Sequence, residues 1–289
     1  MLAAVGLALL LVGETAAFTT RDMLGREVTL AAPPRRIVSL VPSVTEIVYA
    51  IGAENHLAGV TDFCDYPPAA RGKPSVGGMI DANLEAIVAL KPDLVIATTE
   101  GSREETVAQL KRLRIPTYLV AAHRVSDLTA LITRLGELTE RRDAAAALVA
   151  RLEQRIAAVT RAVLTRPRPR VLYVLWPEPL IVPGREALVS ELIRLAGGDS
   201  ISAGEGDSYP RYSLEAAIAR APEVILLANH GAGTGPVDEE KWRGLASLPA
   251  IKTGRLHRVN GDLLHRYGPR AVDGLEQLAR AIHPEAFNK

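Results

Sequence analysis

Apolar positions along the chain alternate between two textures. Short unbroken runs at 37–41, 57–60, "DLVIA" at 93–97 and "PTYLVA" at 116–121 are bounded by turn residues and read as buried strands. Between them, apolar residues recur at helical spacing over 43–51, "NLEAIVAL" at 83–90 and "EETVAQLKRL" at 104–113. Asn83 caps the second of these helices and Pro92 breaks it. Ser43 with Glu46, and Ser102 with Glu105, carry the S-x-x-E spacing of a capping box, and Gly52 closes the first helix. Strand–helix–strand units of this kind build parallel sheets with helices on their faces. Ahead of them, "FTTRDMLGREVTLAAPPRR" predicts a small hairpin that turns at Gly25 and stops at Pro33-Pro34.

From Glu137 to about Thr165 the texture changes. The segment is Ala-rich, lacks interior Gly or Pro, and is apolar at helical spacing. About 22 residues of helix at ~1.5 Å each make a rod of roughly 33 Å, long enough to cross from one lobe to another. Beyond it the first pattern restarts with the strand "RVLYVLW", the helix "REALVSELIRLAGG", the strand "LHRVN" and the terminal helix "AVDGLEQLARAI". A phrase is also repeated: "NLEAIVALKPDLVIA" at 83–97 returns as "SLEAAIARAPEVILLA" at 213–228. At a constant offset of 130, Leu84 meets Leu214, Glu85 meets Glu215, Pro92 meets Pro222 and Asp93 meets Glu223. The predicted fold is therefore α/β, two similar lobes with central, mostly parallel sheets joined by a single long α-helix, with a ligand cleft between the lobes. The boundaries fall at 18–136 for the first lobe, 137–166 for the linking helix and 167–289 for the second.

Composition narrows the functional classes. The 289 residues are 48% hydrophobic and 23% charged, with a net charge of +1, so the chain is globular and has no electrostatic footprint for nucleic acid. Residues 2–12 form an apolar run of signal-peptide length followed by Thr15-Ala16-Ala17, which predicts export with residues 1–17 removed. The run lacks a basic leader, and no Cys follows it to carry a lipid. Cys64 is the single cysteine, so no intrachain disulfide forms, and nothing near it in sequence offers a base.

Motifs for catalysis are missing. The turn after the first strand, "VPSVTE", has no G-x-G-x-x-G, and neither a phosphate-binding G-x-x-x-x-G-K-[ST] nor a G-x-S-x-G is present. Gly231, Gly233 and Gly235 follow a strand, but Pro236 interrupts the helix a phosphate loop needs. The six histidines are scattered, with no H-E-x-x-H. His230 and His265 fall on loops after strands of the second lobe. They are solvated loop residues or, if a cargo carries a metal with an open axial position, candidate axial ligands. No resident cofactor or protein-only metal site is indicated.

Two features point to binding instead. Glu85 and Glu215 each occupy the second position of a helix, where a carboxylate gains about 0.3–1 kcal/mol from the helix macrodipole. An equivalent acid on each lobe also suits docking onto arginines of a two-fold symmetric partner. Aromatic residues are only 4% of the chain, yet Tyr66 in "FCDYPPAA", Tyr209 in "GDSYPRYS" and Trp176 before "PEP" sit at strand ends that face the predicted cleft. Rings there suit a large, flat, partly polar ligand; packing under loops explains each ring equally well.

The stretches "RIVSLVPSVTEI", "GVTDFCDYPPAA", "NLEAIVALKPDLVIA", "RLAGGDSI" and "GDLLHRYGPR" resemble the periplasmic substrate-binding proteins of ABC importers. The resemblance runs from Arg35 to the C-terminus and lies within the rigid-helix group that carries haem, siderophores and vitamin B12, most of all its cobalamin binders. It implies a monomeric, non-catalytic periplasmic protein that captures a metal chelate and delivers it to a dimeric membrane permease. By this resemblance Glu85 and Glu215 engage permease arginines, Tyr66 lies against the corrin, and Asp262 with Arg266 forms a polar pair at the ligand's lower face. Tyr209 stands where cobalamin binders can carry a tryptophan. Met79 and Thr98 also stand at positions that can be tryptophans in cobalamin binders, a departure for which Trp176 is the candidate to refill part of the apolar wall. The implied cargo is thus cobalamin or a related corrinoid such as cobinamide, with haem or a ferric siderophore, held through Tyr66, Tyr209 or His230, as the alternative.

Overall fold

A computed structural model describes residues 18–99, 101–229 and 239–287. The chain opens with the antiparallel hairpin β1 (Phe18–Arg21) and β2 (Glu27–Leu30), which turns through Gly25 at φ +77°. The first lobe follows as β3 (Ile37–Ser39), α1 (Pro42–Ala50), β4 (Leu57–Val60), α2 (Leu84–Ala89), β5 (Leu94–Thr98), α3 (Glu104–Arg112) and β6 (Thr117–Val120). Two helices then run back to back, α4 (Val125–Leu138) and α5 (Arg142–Val163). The second lobe comprises β7 (Arg170–Val174), β8 (Trp176–Pro177), β9 (Leu180–Ile181), α6 (Leu188–Leu195), β10 (Asp199–Ser200), α7 (Leu214–Ala219), β11 (Val224–Asn229), α8 (Glu239–Arg243), α9 (Pro249–Lys252), β12 (Leu256–Asn260), α10 (Gly261–His265) and α11 (Ala271–Ile282).

Both lobes are built on a four-stranded parallel sheet of one topology. The orders are β4-β3-β5-β6 and β10-β7-β11-β12; in each the first strand pairs with the second on one side and the third on the other. The two-residue period of the strands divides their side chains between two cores. Ile37, Ile96 and Tyr118, with Val171, Tyr173 and Leu226 of the other sheet, enter one continuous core that also takes in Leu148, Leu152 and Val159 of α5. The alternate residues, Val38, Val95 and Leu119 in one lobe and Leu172, Ile225 and Leu227 in the other, pack into separate outer cores. The lobes thus share one interior through the 22-residue helix α5, which Arg155 also ties to Asp273 (2.6 Å) and Glu276 (2.9 Å) of α11. That shared interior is the physical reason to expect little hinge opening.

The repeated phrase has a structural basis. Asn83 and Ser213 cap α2 and α7 by accepting from the N–H groups of Ala86 (3.0 Å) and Ala216 (3.1 Å). Each helix ends in a residue at positive φ, Lys91 (46°) and Ala221 (47°). Carbonyls at those ends are capped by Arg36 and Arg170, whose guanidinium groups donate to Leu90 and Lys91 and to Arg220 and Ala221. Asp93 and Glu223 then accept the backbone N–H groups that start β3 and β7. Pro, acid and cap recur because each lobe stitches a short helix to the strand beneath it in the same way.

Several sequence expectations need correction. The Ser43–Glu46 capping box does not form: Pro42 takes the first helical position, Val41 is the N-cap residue, and the Glu46 side chain turns inward. Ser102 likewise caps nothing; α3 starts after Arg103, and the Ser102 hydroxyl accepts from Thr98 N–H at 3.2 Å. The helix expected from Arg185 begins at Leu188. Trp176 does not continue β7 but starts a tight antiparallel pair with Leu180 and Ile181.

The outer sheet edges are treated differently. At β6, the hairpin reaches over so that Met23 N–H donates to Leu119 O (3.1 Å), and Asp22 Oδ2 accepts from Leu119 N–H (3.4 Å). At β12, Arg258 pairs with Glu239 (3.0 Å), and the side-chain oxygen of Gln277 accepts from Asn260 N–H (2.9 Å).

Candidate functional site

Loops that leave the carboxyl ends of both sheets meet across a cavity of about 420 Å³, where open parallel sheets place their ligands. The first lobe contributes Val41, Pro42 and Ser43 after β3, Phe63 after β4, Met79 and Ile80 before α2, Thr98 at the end of β5 with Gly101 beyond it, and Val120 and Ala122 at the end of β6. Leu131 of α4 closes the back. The second lobe contributes Leu175, Tyr209, His265, Arg266 and Tyr267. The two walls differ in chemistry. The first is almost wholly apolar, with Phe63 and Ile80 more than half exposed to the opening. The second presents hydroxyl, imidazole and guanidinium groups.

Two ion pairs cross the cleft beside the cavity. Glu46, only 4% exposed on α1, forms a two-pronged pair with Arg270, with Arg270 Nε donating to Oε2 at 2.9 Å and Nη2 to Oε1 at 2.5 Å. A side chain on Gly268 would bring its Cβ to 2.9 Å from Glu46 Oε2, so glycine there leaves room for the pair. Burial pushes the Glu46 carboxyl above its usual range, and Arg270 pulls it back without cancelling the effect. Arg266 donates to Asp65 of the opposite lobe and to the Phe63 carbonyl (3.3 Å), and lies 3.7 Å from Asp262. Asp65 is held below the ordinary carboxylate range: partial burial acts to raise it, but hydrogen bonding and charge from Arg266 outweigh that.

The sequence-derived residues sort as follows. Met79, Tyr209 and Arg266 line the cavity, as does Thr98. Tyr66 is not among the lining residues; it is 42% exposed, with the Arg270 guanidinium 3.8 Å from the ring centre, and so supports the interlobe pair. Asp262 lies behind Arg266 in the first turn of α10. Trp176 is not among the lining residues; its indole N–H bonds the Glu178 carbonyl at 3.0 Å on the exposed hairpin, and the neighbouring Leu175 lines the cavity instead. His230, with Gly231, Gly233 and Gly235, lies outside the described residues. His265, expected on a solvated loop, ends α10 and bonds two tyrosines, Tyr173 through Nε2 (2.8 Å) and Tyr209 through Nδ1 (3.3 Å). Cys64 is buried against the hydroxyls of Thr45 (3.2 Å) and Thr61 (3.3 Å). Glu85 and Glu215 are both exposed at helix starts outside the cavity; the Ser213 hydroxyl donates to Glu215 at 2.6 Å and lowers its pKa.

Residues 37–263 match the family model described as periplasmic binding protein. The chain belongs to that family. Among its relatives, the vitamin B12-binding protein of Vibrio cholerae serotype O1 is 29% identical over 269 residues, covering 93% of this chain and 95% of the relative. The solved periplasmic vitamin B12 binding protein of Vibrio cholerae superposes with a TM-score of 0.78 at 28% identity, over 89% of this chain and 99% of that one. A periplasmic heme binding protein from Pseudomonas aeruginosa superposes with a TM-score of 0.76, also at 28% identity, over 87% of this chain and 93% of its own. The superpositions show that the two-lobed architecture with its long helix is shared with these periplasmic binding proteins.

Proposed function

We propose that this chain captures a corrinoid, cobalamin or cobinamide, in the periplasm after loss of residues 1–17 and delivers it to an ABC permease. The observation that carries the reading is the two-faced cavity: an apolar wall for the flat face of a macrocycle, opposed by hydroxyl, imidazole and guanidinium groups for an amide-bearing edge. Charge favours a corrinoid over haem. Haem brings two propionate carboxylates, whereas Arg266, the one Arg or Lys among the described lining residues, is already paired with Asp65. The B12-binding relatives point the same way. Met79 and Thr98 fill wall positions with side chains smaller than tryptophan, leaving space that suits a bulky cargo. The enclosed volume takes part of the macrocycle, and the remainder emerges between the lobes.

Glu85 and Glu215 serve as the docking acids, one per lobe, for a chain that works as a monomer. Each is exposed on a helix held by an equivalent cap, so their separation is set by the rigid pairing of the lobes. The test of the cargo is calorimetric titration of the mature chain with cyanocobalamin, cobinamide and haemin in parallel. One-to-one corrinoid binding at submicromolar Kd is expected. Tight haemin binding with no corrinoid binding would overturn the corrinoid reading and move the cargo to haem.

A further inference from the structure

Tyr173 sits on β7, wholly buried, beside the core aliphatics Val171, Leu172 and Val174. Its hydroxyl has one hydrogen-bond partner among the described residues, Nε2 of His265 at 2.8 Å. Burial raises the Tyr173 pKa well above that of an ordinary phenol, so the group keeps its proton. With a proton on Nε2 the Tyr173 oxygen would have to accept, and its own proton would turn away and be buried without an acceptor among the described residues. Tyr173 therefore donates, Nε2 accepts, and the neutral imidazole carries its hydrogen on Nδ1. That Nδ1–H faces the Tyr209 oxygen at 3.3 Å, and the Tyr209 hydroxyl in turn hydrogen-bonds that of Tyr267.

Ring packing follows the same path. Tyr173 and His265 meet edge to face with centroids 5.6 Å apart, and His265 and Tyr209 do so at 5.7 Å. Tyr209 belongs to a stretch of turns and bends before α7, where a ring has no regular backbone to hold it. The ladder of rings links it to the middle of the sheet.

We propose that Tyr173 is a positioning residue that fixes His265 as the Nδ1–H tautomer, so that the imidazole pins Tyr209 as a pre-set flat wall for a planar cargo. The tautomer follows from this chain alone; the consequence for binding rests on the corrinoid reading above. A ring already held costs less to order when the cargo arrives, which corresponds to a Kd about two- to tenfold lower.

Long-range ¹⁵N–¹H correlation spectra of the unliganded mature chain read the tautomer directly, with His265→Gln identifying the signal. His265 is expected as Nδ1–H in the wild type and in Tyr209→Phe, and to shift toward Nε2–H in Tyr173→Phe, which removes one hydroxyl and leaves the packing. An Nε2–H signal in the wild type, or an unchanged tautomer in Tyr173→Phe, would overturn the relay whatever the cargo is. With dicyanocobinamide as probe, Tyr173→Phe and Tyr209→Phe should each weaken binding about two- to tenfold, and the double variant no more than Tyr209→Phe alone. Additive losses, or unchanged affinity in Tyr173→Phe, would overturn the positioning role. If the wild type binds no corrinoid, the cargo reading fails and the tautomer measurement alone decides the relay.

Discussion

The two lobes share a topology, a helix-to-strand stitch and a matched pair of exposed acids, yet they line the cleft with opposite chemistry. The first lobe places Pro42, Phe63, Met79 and Ile80 at its carboxyl edge; the second places Tyr209, His265, Arg266 and Tyr267 there. What the lobes hold in common lies at the level of the scaffold and its outer face. What separates them lies in loops, which change without disturbing the sheets. Duplicated architecture accounts for where the cleft is, and divergence of its loops accounts for what can enter it.

The matched acids give the most drastic test of this likeness. Reversing both Glu85 and Glu215 to Lys should abolish uptake in cells that depend on this chain, with calorimetric affinity for the cargo unchanged. Retained uptake would remove the docking role and leave the two acids as helix-start residues. Single reversals should give similar partial losses if the lobes dock equivalently.

The interlobe contacts come next in size. Arg270→Ala leaves Glu46 buried without its partner and should cost about 3–5 kcal/mol in urea unfolding, whereas replacing both with apolar residues of similar volume should recover much of that loss. The smallest effect compares the stitches themselves. Asp93 accepts backbone hydrogen bonds from both Arg35 (2.7 Å) and Arg36 (3.0 Å), while Glu223 accepts one, from Arg170 (2.9 Å). Asp93→Ala should therefore cost about 1–2 kcal/mol and Glu223→Ala about 1 kcal/mol or less, measured by the same unfolding assay. Equal losses would mean that the two stitches bear equal weight.

Much of the scaffold was legible in the sequence because its signals are local. The repeated phrase located corresponding helix–strand units, Asn83 and Ser213 announced the caps, and the Ala-rich stretch without interior Gly or Pro became a helix of the anticipated 22 residues. The cleft was less legible because its partners are distant in sequence. Ser43 and Glu46 have the right spacing for a capping box, but Pro42 pre-empts the helix start, and Glu46 answers to Arg270, 224 positions away. One acid set in the otherwise uncharged helix "PSVTEIVYA" was the available hint. Tyr173 reads as one more core residue of "RVLYVLW" until His265, 92 positions on, is seen against its hydroxyl. Trp176 misled for the opposite reason: a ring at a strand end points wherever the following turn sends it, and here a two-residue hairpin turns it outward.

The hairpin over β6 has a consequence apart from transport. An outer strand of a parallel sheet offers unpaired N–H and C=O groups to any neighbouring chain, and that is how folded proteins begin to aggregate. Asp22 and Met23 occupy those groups at Leu119, so the β6 edge is closed by the chain's own first turn. At β12 the guard is Arg258, a charge that another strand would have to bury. Of the four outer strands, β6 and β12 are thus protected by different means, occupancy at the first and the cost of burying a charged pair at the second. The hairpin that closes the β6 edge contributes no residue to the lining of the cavity, so edge protection and the cleft are built from separate parts of the chain.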